Sequence, residues 1–420
     1  MDQAAGQGEL TEKKGENMIQ VAVMGFGTIG SGVAEVIDIN REGILKATGR
    51  ELHVKYILDL RNFPGNKYED RIVHDFEKIV SDPEIRIVVE TMGGVHPAYD
   101  FTKACLEAGK HVVTSNKAVV EDCGTELLEI ARKHHVNYLF EASVGGGIPL
   151  IRPLTESLRG EKILEIQGIL NGTTNYILSK MNREGQTFEE ALRTAQELGY
   201  AEKNPEADVM GHDTCRKIVI LSMLATGKEA KYRDVHCEGI TGITPTDFAY
   251  AKKLGMAVKL VGTSRMGGSR AGIFVCPMLV SADSPLYAVN DVYNAVMVNG
   301  RTLGKVMFYG SGAGKLPTAN AVVSDVVEIL DHLEENMPFG WTSEKLPLAD
   351  FEDQEFRYFA RFKGQYGNRI EEIRAAFDPE KVIELPEYPE EFAILSAKMS
   401  EERFQRKQKA FEGVLQVIRC

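Results

Sequence analysis

Ile19-Gln-Val-Ala-Val-Met-Gly25-Phe-Gly27-Thr-Ile-Gly30 decides the fold of the first part of this chain. The apolar run before Gly25, broken only by Gln20, suits a strand buried on both faces. It leads into G-x-G-x-x-G. In that pattern the first glycine makes a tight turn, the second lets a pyrophosphate reach the backbone, and the third lets helix and strand pack closely. Val33, Val36 and Ile37 then repeat at helical spacing, so a helix N-terminus faces the phosphates. The motif is weak alone. Between a strand and a helix it predicts a dinucleotide site made by Gly25, Phe26, Gly27, Thr28, Ile29 and Gly30.

Working outward, more strands and helices alternate. Strands are expected at 53–58, 85–90, 111–114 and 137–140, with helices at 97–108 and 123–134. Residues 38–50 read as a lengthened helix end and loop. Such alternation means βαβ units and a parallel Rossmann-type sheet, whose ligand crevice lies at the strand carboxyl ends. Gly25, Asp59, Thr91, Lys117 and Glu141 all fall there. Asp59 is placed to accept from the ribose hydroxyls of NAD, and Arg61 to meet the 2′-phosphate of NADP, so both cofactors stay open.

The texture changes after residue 140. Alternating segments at 161–169, 271–280 and 305–309 mix with helices at 174–184, 187–198 and 212–226, an α+β domain with an open sheet over 141–314. Thr187 and Glu190 fit a capping box. A helix within 315–335 is expected to return to the dinucleotide-binding domain of 18–140. Residues 350–420 read as a strand through Phe356 to Phe362, a helix over 367–377, strands at 381–385 and 391–397, a helix after Ser400 and a strand at 414–418. That order is βαββαβ, the ferredoxin-like arrangement. Residues 1–17 read as a disordered leader, with Met18 as a possible natural start.

Bulk properties exclude several classes. A chain of 420 residues exceeds one ordinary core, so two or three domains are expected. Its net charge of −12 argues against a nucleic-acid or anionic-membrane surface. No run of eighteen apolar residues marks a membrane span. The six cysteines form no C-x-x-C pair, which points to thiols in a reducing cytoplasm and to neither zinc nor a disulfide framework.

The second segment that carries chemistry is Ala195-Gln-Glu-Leu-Gly199-Tyr-Ala-Glu202-Lys-Asn-Pro205-Glu-Ala-Asp208-Val-Met-Gly211-His-Asp213-Thr-Cys-Arg-Lys217. Asp213 and Lys217 lie one turn apart on one helix face, followed there by Ile220, Leu221 and Leu224. A lysine on an apolar face needs a carboxylate or a substrate. Burial lowers the pKa of such a lysine and a nearby carboxylate raises it again, a balance suited to a general acid. Gly168-Ile-Leu-Asn171-Gly-Thr-Thr174-Asn175 opens another helix with more amides and hydroxyls than capping needs, which a small polar substrate or the nicotinamide amide can use. Glu141-Ala-Ser-Val144-Gly-Gly146-Gly-Ile148-Pro149 turns sharply after a strand. One carboxylate with several carbonyls suits Na⁺ or K⁺, and a plain domain-junction turn explains it equally well. Lys117 can neutralise a carboxylate or donate to a carbonyl. His74, His96 and His212 stand alone and read as surface or capping residues.

The 195–217 stretch resembles the homoserine dehydrogenase signature through Ala195, Gly199, Asn204-Pro205, Asp208, Gly211, Asp213 and Lys217. The glycine loop, Glu90-Thr-Met-Gly-Gly94, Thr114-Ser-Asn-Lys117, Glu141–Gly147 and Gly168–Asn175 look like that family in the same order, over about 18–330. The resemblance implies NAD(P)-dependent interconversion of aspartate β-semialdehyde and L-homoserine on the route to threonine and methionine. It makes Lys217 the proton donor, and Glu202, Asp208, Asp213 and Gly199 the substrate holders. Lys117 would touch cofactor and substrate, and Thr91 and Gly312 cofactor. Glu141 with the carbonyls of Val144, Gly146 and Ile148 would hold a monovalent cation. A homodimer through the second domain is implied as well.

Two departures bear on this. Leu58-Asp59 stands where many relatives carry an Arg-Asp that reads NADP, which tilts the reading toward NAD. The tail has the element order of an amino-acid-sensing ACT domain, but reads Lys363-Gly-Gln-Tyr-Gly367 where the usual effector turn would stand. Another two-domain dehydrogenase, or a non-catalytic NAD(P) sensor, would share the glycine loop and have no reason for the 195–217 motif.

Overall fold

The computed structural model describes residues 17–420, so the expected leader over 1–17 lies outside it except for its last residue. Two compact units emerge. The first holds the described residues up to Arg159, with Gly227–Glu229 and Ala313–Glu344; the second holds Gly160–Thr226, Ala230–Gly312 and Lys345–Cys420.

The first unit is built on six parallel strands: β1 (Met18–Met24), β2 (Glu51–Leu58), β3 (Ile72–Val73), β4 (Ile85–Glu90), β5 (His111–Thr114) and β6 (Tyr138–Leu139). Their order is β3-β2-β1-β4-β5-β6, the doubly wound dinucleotide-binding order with its switch point between β1 and β4. Helix α1 (Thr28–Ile39) follows the glycine loop. Residues expected as a loop instead form a second helix, α2 (Arg41–Thr48), stopped by Gly49 at φ 71°. The carbonyl-capping glycine restarts the chain into β2. Helix α3 (Ala98–Glu107) crosses from β4 to β5.

Helix α4 (Lys117–Lys133) begins six residues before its expected start. Asn116 explains the early start, since its side-chain oxygen accepts from the amides of Ala118 and Val119. The chain re-enters this unit at its far end: Ala319, Val322 and Val326 share a core with Val21, Val33 and Val36.

The second unit's sheet contains β7 (Ile163–Ile169), β8 (His236–Cys237), β9 (Met256–Arg265), β10 (Gly272–Ser281), β11 (Tyr293–Gly300) and β12 (Gly304–Ser311). Three of these, β8, β9 and β11, were not foreseen as strands. Helices α5 (Gly172–Glu184), α6 (Phe188–Glu197), α7 (Glu206–Val209), α8 (His212–Thr226) and α9 (Pro245–Leu254) belong to this unit. The capping box at α6 is present: Glu190 N donates to Thr187 Oγ1, and Thr187 N to the Glu190 carboxylate. Helix α10 (Lys315–Asp331) is the element that returns to the first unit.

The tail adds β13 (Glu355–Phe356), β14 (Tyr358–Lys363), α11 (Ile370–Phe377), β15 (Pro379–Ile383), β16 (Glu391–Ser396), β17 (Met399–Ser400), α12 (Glu401–Lys409) and β18 (Val414–Arg419). The sequence reading set this segment apart. Strands β18, β14, β16 and β15 instead continue the second unit's sheet, in the order β12-β11-β7-β9-β10-β18-β14-β16-β15, while β13 and β17 pair with each other. Phe356, Tyr358, Phe362, Phe377, Phe392 and Phe404 fill one core with Phe274 and Cys276 of β10. Among the described residues no helix is long and apolar enough to cross a membrane.

One buried acid shapes the carboxyl edge of the first sheet. Glu90 ends β4 and is inaccessible to solvent. It accepts from Thr114 Oγ1 at 2.6 Å and from Met92 N at 2.7 Å. Asn116 N donates to that same Thr114 oxygen, and Asn116 Nδ2 donates to Gly94 O. The group therefore holds Thr91–Gly94 against the start of α4. Burial pushes the Glu90 carboxyl from 4.5 up to about 7.

Between those two values the folded protein keeps a proton that the unfolded chain has released. Stability therefore falls as pH rises from about 4.5 to about 7 and levels off above. The contribution is on the order of 2–3 kcal/mol. Asp325, raised to about 8 by burial and by Glu141, adds a similar slope that is unaffected by changes at Glu90. We expect Glu90→Gln to flatten the fall of melting temperature between pH 5 and 7.5 relative to wild type. Parallel curves for the two proteins would show that Glu90 does not carry it.

Candidate active site

Helix α8 begins where the chain turns through Gly211 at φ 83°, a conformation that favours glycine. Asp213 falls in the first turn, where the helix dipole favours an anion, and Lys217 one turn later. Lys217 Nζ lies 2.8 Å from Asp213 Oδ2, and the two side chains are only 10% and 7% exposed. Burying both charges is tolerable only if the remaining donors and acceptors are met. Lys217 Nζ donates to Leu170 O at 2.8 Å, directly after β7. Two protons of the ammonium are thus directed by the protein, and a third donor remains on the nitrogen.

Asn171 joins the rest. Its oxygen caps α5 by accepting from Thr174 N at 2.8 Å. Its Nδ2 donates to Asp213 Oδ2 at 2.8 Å and to Asp208 Oδ1 at 2.7 Å. Lys217, Asp213 and Asp208 are therefore brought together, with Asn171 as their common partner. The sequence reading offered Asn171, with its polar neighbours, to a small polar substrate or the nicotinamide amide and did not foresee its bonds to the two carboxylates. An asparagine before a helix reads as a cap, and only the fold shows that the other half of its amide is busy.

The loop after α6 is fastened separately. Thr173 Oγ1 donates to Tyr200 O at 2.6 Å, and the Tyr176 and Tyr200 rings lie 5.0 Å apart. Gly199 turns at φ 74°. Glu202 stands exposed on this loop, and it is its carbonyl that accepts from Gln196 Nε2.

In the first unit the glycine loop has the expected mechanics. A side chain on Gly30 would meet Gly25 O at 1.8 Å, so only glycine fits, whereas Gly27 faces open space. No side chain caps α1, which leaves its first amides to a ligand. Thr91 clamps the loop by donating to the carbonyls of Met24 and Gly25. Lys117 is the first residue of α4, at the carboxyl end of β5.

Asp59 behaves differently from a bare ribose acceptor. It accepts from Phe26 N at 2.8 Å and forms a fork with Arg61, Nε to Oδ1 and Nη2 to Oδ2, both at 2.9 Å. The Arg61 hydrogen bonds hold its carboxyl well below the usual range against the effect of burial. The guanidinium itself is exposed.

Glu141 is also committed. Its oxygens accept from the amides of Leu150, Ile151 and Arg152 at 2.6–2.8 Å. Val144, Gly146 and Ile148 follow in a buried turn, with Gly146 at φ 58°. Among the described residues no group of three His, Cys, Asp or Glu side chains is arranged to hold a metal. Gly312 packs so tightly on Asn294 that an added Cβ would lie 1.9 Å from its Nδ2.

Comparison with known proteins agrees with this geometry. A family model described as "Homoserine dehydrogenase, NAD binding domain" matches residues 25–141, and one described as "Homoserine dehydrogenase" matches 149–327. The homoserine dehydrogenase of Synechocystis is 46% identical over 319 residues, covering 74% of this chain and 73% of the relative. That of Bacillus subtilis is 38% identical over 338 residues, covering 80% and 77%. The crystal structure of a homoserine dehydrogenase from Thiobacillus denitrificans superposes with a TM-score of 0.88 at 32% identity, covering 96% of this chain and 98% of its own. A hyperthermophilic archaeal homoserine dehydrogenase in complex with NADPH superposes at 0.63 and 28% identity, covering 74% and 97%. With the parallel sheet, its glycine loop and the buried Asp213–Lys217 pair, these matches place the chain in the homoserine dehydrogenase family.

Proposed function

We propose that Lys217 is the proton donor when this NAD(P)-dependent oxidoreductase reduces L-aspartate 4-semialdehyde to L-homoserine. The carrying observation is the Lys217–Asp213–Asn171–Asp208 network. A nicotinamide bound at the glycine loop would supply the hydride to the aldehyde carbon, and negative charge would then grow on the aldehyde oxygen. The third ammonium donor of Lys217 meets that charge and transfers its proton. Asp213 keeps the lysine oriented, and in the reverse direction the neutral amine accepts the proton from the alcohol. Asp208 and the exposed Glu202 offer carboxylates to the substrate ammonium, beside Gly199. Lys117 offers a cation to the substrate carboxylate.

The cofactor end has a chemistry of its own. Gly25, Phe26, Gly27, Thr28, Ile29 and Gly30 would hold the pyrophosphate on the α1 amides. The exposed Arg61, already neutralising Asp59, suits a 2′-phosphate, so the enzyme accepts NADP as well as NAD. Thr91 supports the loop, and Gly312 would approach the cofactor.

Oxygen-only donors also fit a Na⁺ or K⁺ ion on the carbonyls of Val144, Gly146 and Ile148, with the Glu141 charge alongside. Residues 350–420 have the ACT-like element order without the effector turn, and we read them as structural. One of the two edges of the second sheet is β12, where Met307 and Tyr309 are exposed. An unprotected apolar edge invites strand pairing, which supports a homodimer through it.

Three measurements test these readings. Lys217→Ala should lower the rate with L-homoserine and NAD(P)⁺ by roughly 10²–10⁴, the usual contribution of a general acid. An unchanged rate removes Lys217 from the chemistry. A kinetic survey should find turnover with both NADP⁺ and NAD⁺, stimulation by Na⁺ or K⁺, and no response to millimolar threonine; each arm decides one assignment. Sedimentation should give twice the 46.5 kDa chain mass for wild type and a monomer for Met307→Lys with Tyr309→Lys.

A further inference from the structure

We propose that Cys215 and Cys237 form a reversible thiol–disulfide pair behind the Asp213–Lys217 pair. On this proposal a small disulfide such as glutathione disulfide closes it and thereby inactivates the enzyme. All six cysteines of the structure are thiols. Cys215 sits on α8 two residues from both Asp213 and Lys217, which at about 100° per residue puts it on the far side of the helix.

Helical side chains lean toward the N-terminus, so Cys215 reaches back over Gly211, one turn earlier. Gly211 leaves room for a second sulfur there, since a Cβ on it would lie 3.1 Å from Cys237 Sγ. Cys237 Sγ also lies 3.3 Å from Met210 O, to which it donates. Cys215 Sγ donates to Tyr232 O at 3.6 Å, and the two thiols are close enough to interact electrostatically. Cys237 arrives from β8, which is anchored on β10 through the pairs His236–Phe274 and Cys237–Val275.

Chemistry distinguishes this pair from the other cysteines. Burial pushes the thiols of Cys105, Cys276 and Cys420 up to about 12. The neighbouring Cys215 lowers the pKa of Cys237 despite its burial. Cys237 is also the partly exposed member, whereas Cys215 is buried. The sequence of events follows from that. The Cys237 thiolate attacks one sulfur of the small disulfide, breaking its S–S bond and releasing one thiolate. The Cys215 sulfur, losing its proton to solvent, then attacks the Cys237 sulfur of this mixed disulfide and releases a second thiolate. Two protein thiols are oxidised and one small disulfide is reduced to two thiols.

Closure moves the site. A disulfide holds its sulfurs about 2.05 Å apart, well inside the van der Waals separation of two thiols. Because β8 is fixed by its ladder, the first turn of α8 must give, and that turn carries Asp213. A misplacement near 1 Å at a catalytic group is worth about 10²-fold in rate.

The test uses the full chain treated with glutathione disulfide. Non-reducing peptide mapping should find Cys215 linked to Cys237. Oxidation of L-homoserine should fall at least tenfold and return with dithiothreitol. Cys237→Ser should keep basal activity and resist treatment, and Cys215→Ser should trap glutathione on Cys237. The proposal fails if no 215–237 link forms, if the linked enzyme remains fully active, or if Cys237→Ser is inhibited equally. The peptide map does not depend on the assigned reaction, so a wrong substrate and an absent switch give different results.

Discussion

The second unit is organised around the removal of one ion pair from water. Asp213 and Lys217 are both buried, and a buried pair is stable only when its leftover donors and acceptors are met. That requirement reaches well beyond α8. Leu170, directly after β7, must turn its carbonyl toward Nζ, and the next residue must present an amide to Asp213. Asn171 does so while its oxygen starts α5. The same amide nitrogen holds Asp208, which fixes the short α7. A strand end, two helix starts and a loop are thus set by one pair of charges.

The first unit solves a related problem with backbone rather than side-chain charge. Its glycine loop has amides that must stay available to a ligand, so the loop is held from outside. Thr91 holds it by two carbonyls, Asp59 by the amide of Phe26, and Gly30 by contact with Gly25. Glu90 carries the support one layer further, through Thr114 and Asn116 to the start of α4. Preorganisation of this kind is what a site needs if bound groups are to find it already shaped.

The sequence disclosed these two units unevenly, for physical reasons. Strands of the first sheet are buried on both faces and read as apolar runs, so β1, β2, β4 and β5 were legible. Strand β9 was not, because Lys259, Gly262, Thr263 and Ser264 interrupt it. All are buried or enclosed, and Lys259 is satisfied by Val289 O, Asn290 and Asn175 from distant segments. The start of α4 was hidden because Asn116, not apolar spacing, defines it. Lys217 stood out as a charge on an apolar face, and its depth in the fold agrees. Asp59 was legible as a strand-end ribose acceptor, but its bond to Phe26 was not, since that bond spans 33 residues.

The tail shows how closely a distant segment can stand to this site. Arg419, one residue from the end, forks onto Glu401 with bonds of 2.8 and 2.6 Å and reaches Glu238 at 2.7 Å, while Tyr358 also donates to Glu401. Removing the arginine would leave two buried or half-buried carboxylates without their partner, worth about 3–5 kcal/mol for a pair of this kind. Glu238 in turn donates its amide to Val275 of β10. The next residue, Gly239, has no side chain because one would lie 2.2 Å from Val209 O. Val209 ends α7, directly after Asp208. The chain end therefore reaches the Asp208 segment through one ion pair and one backbone contact. The tail is held there by buried charge and a continuous sheet, so its place relative to Asp208 is as fixed as that of the strands before it.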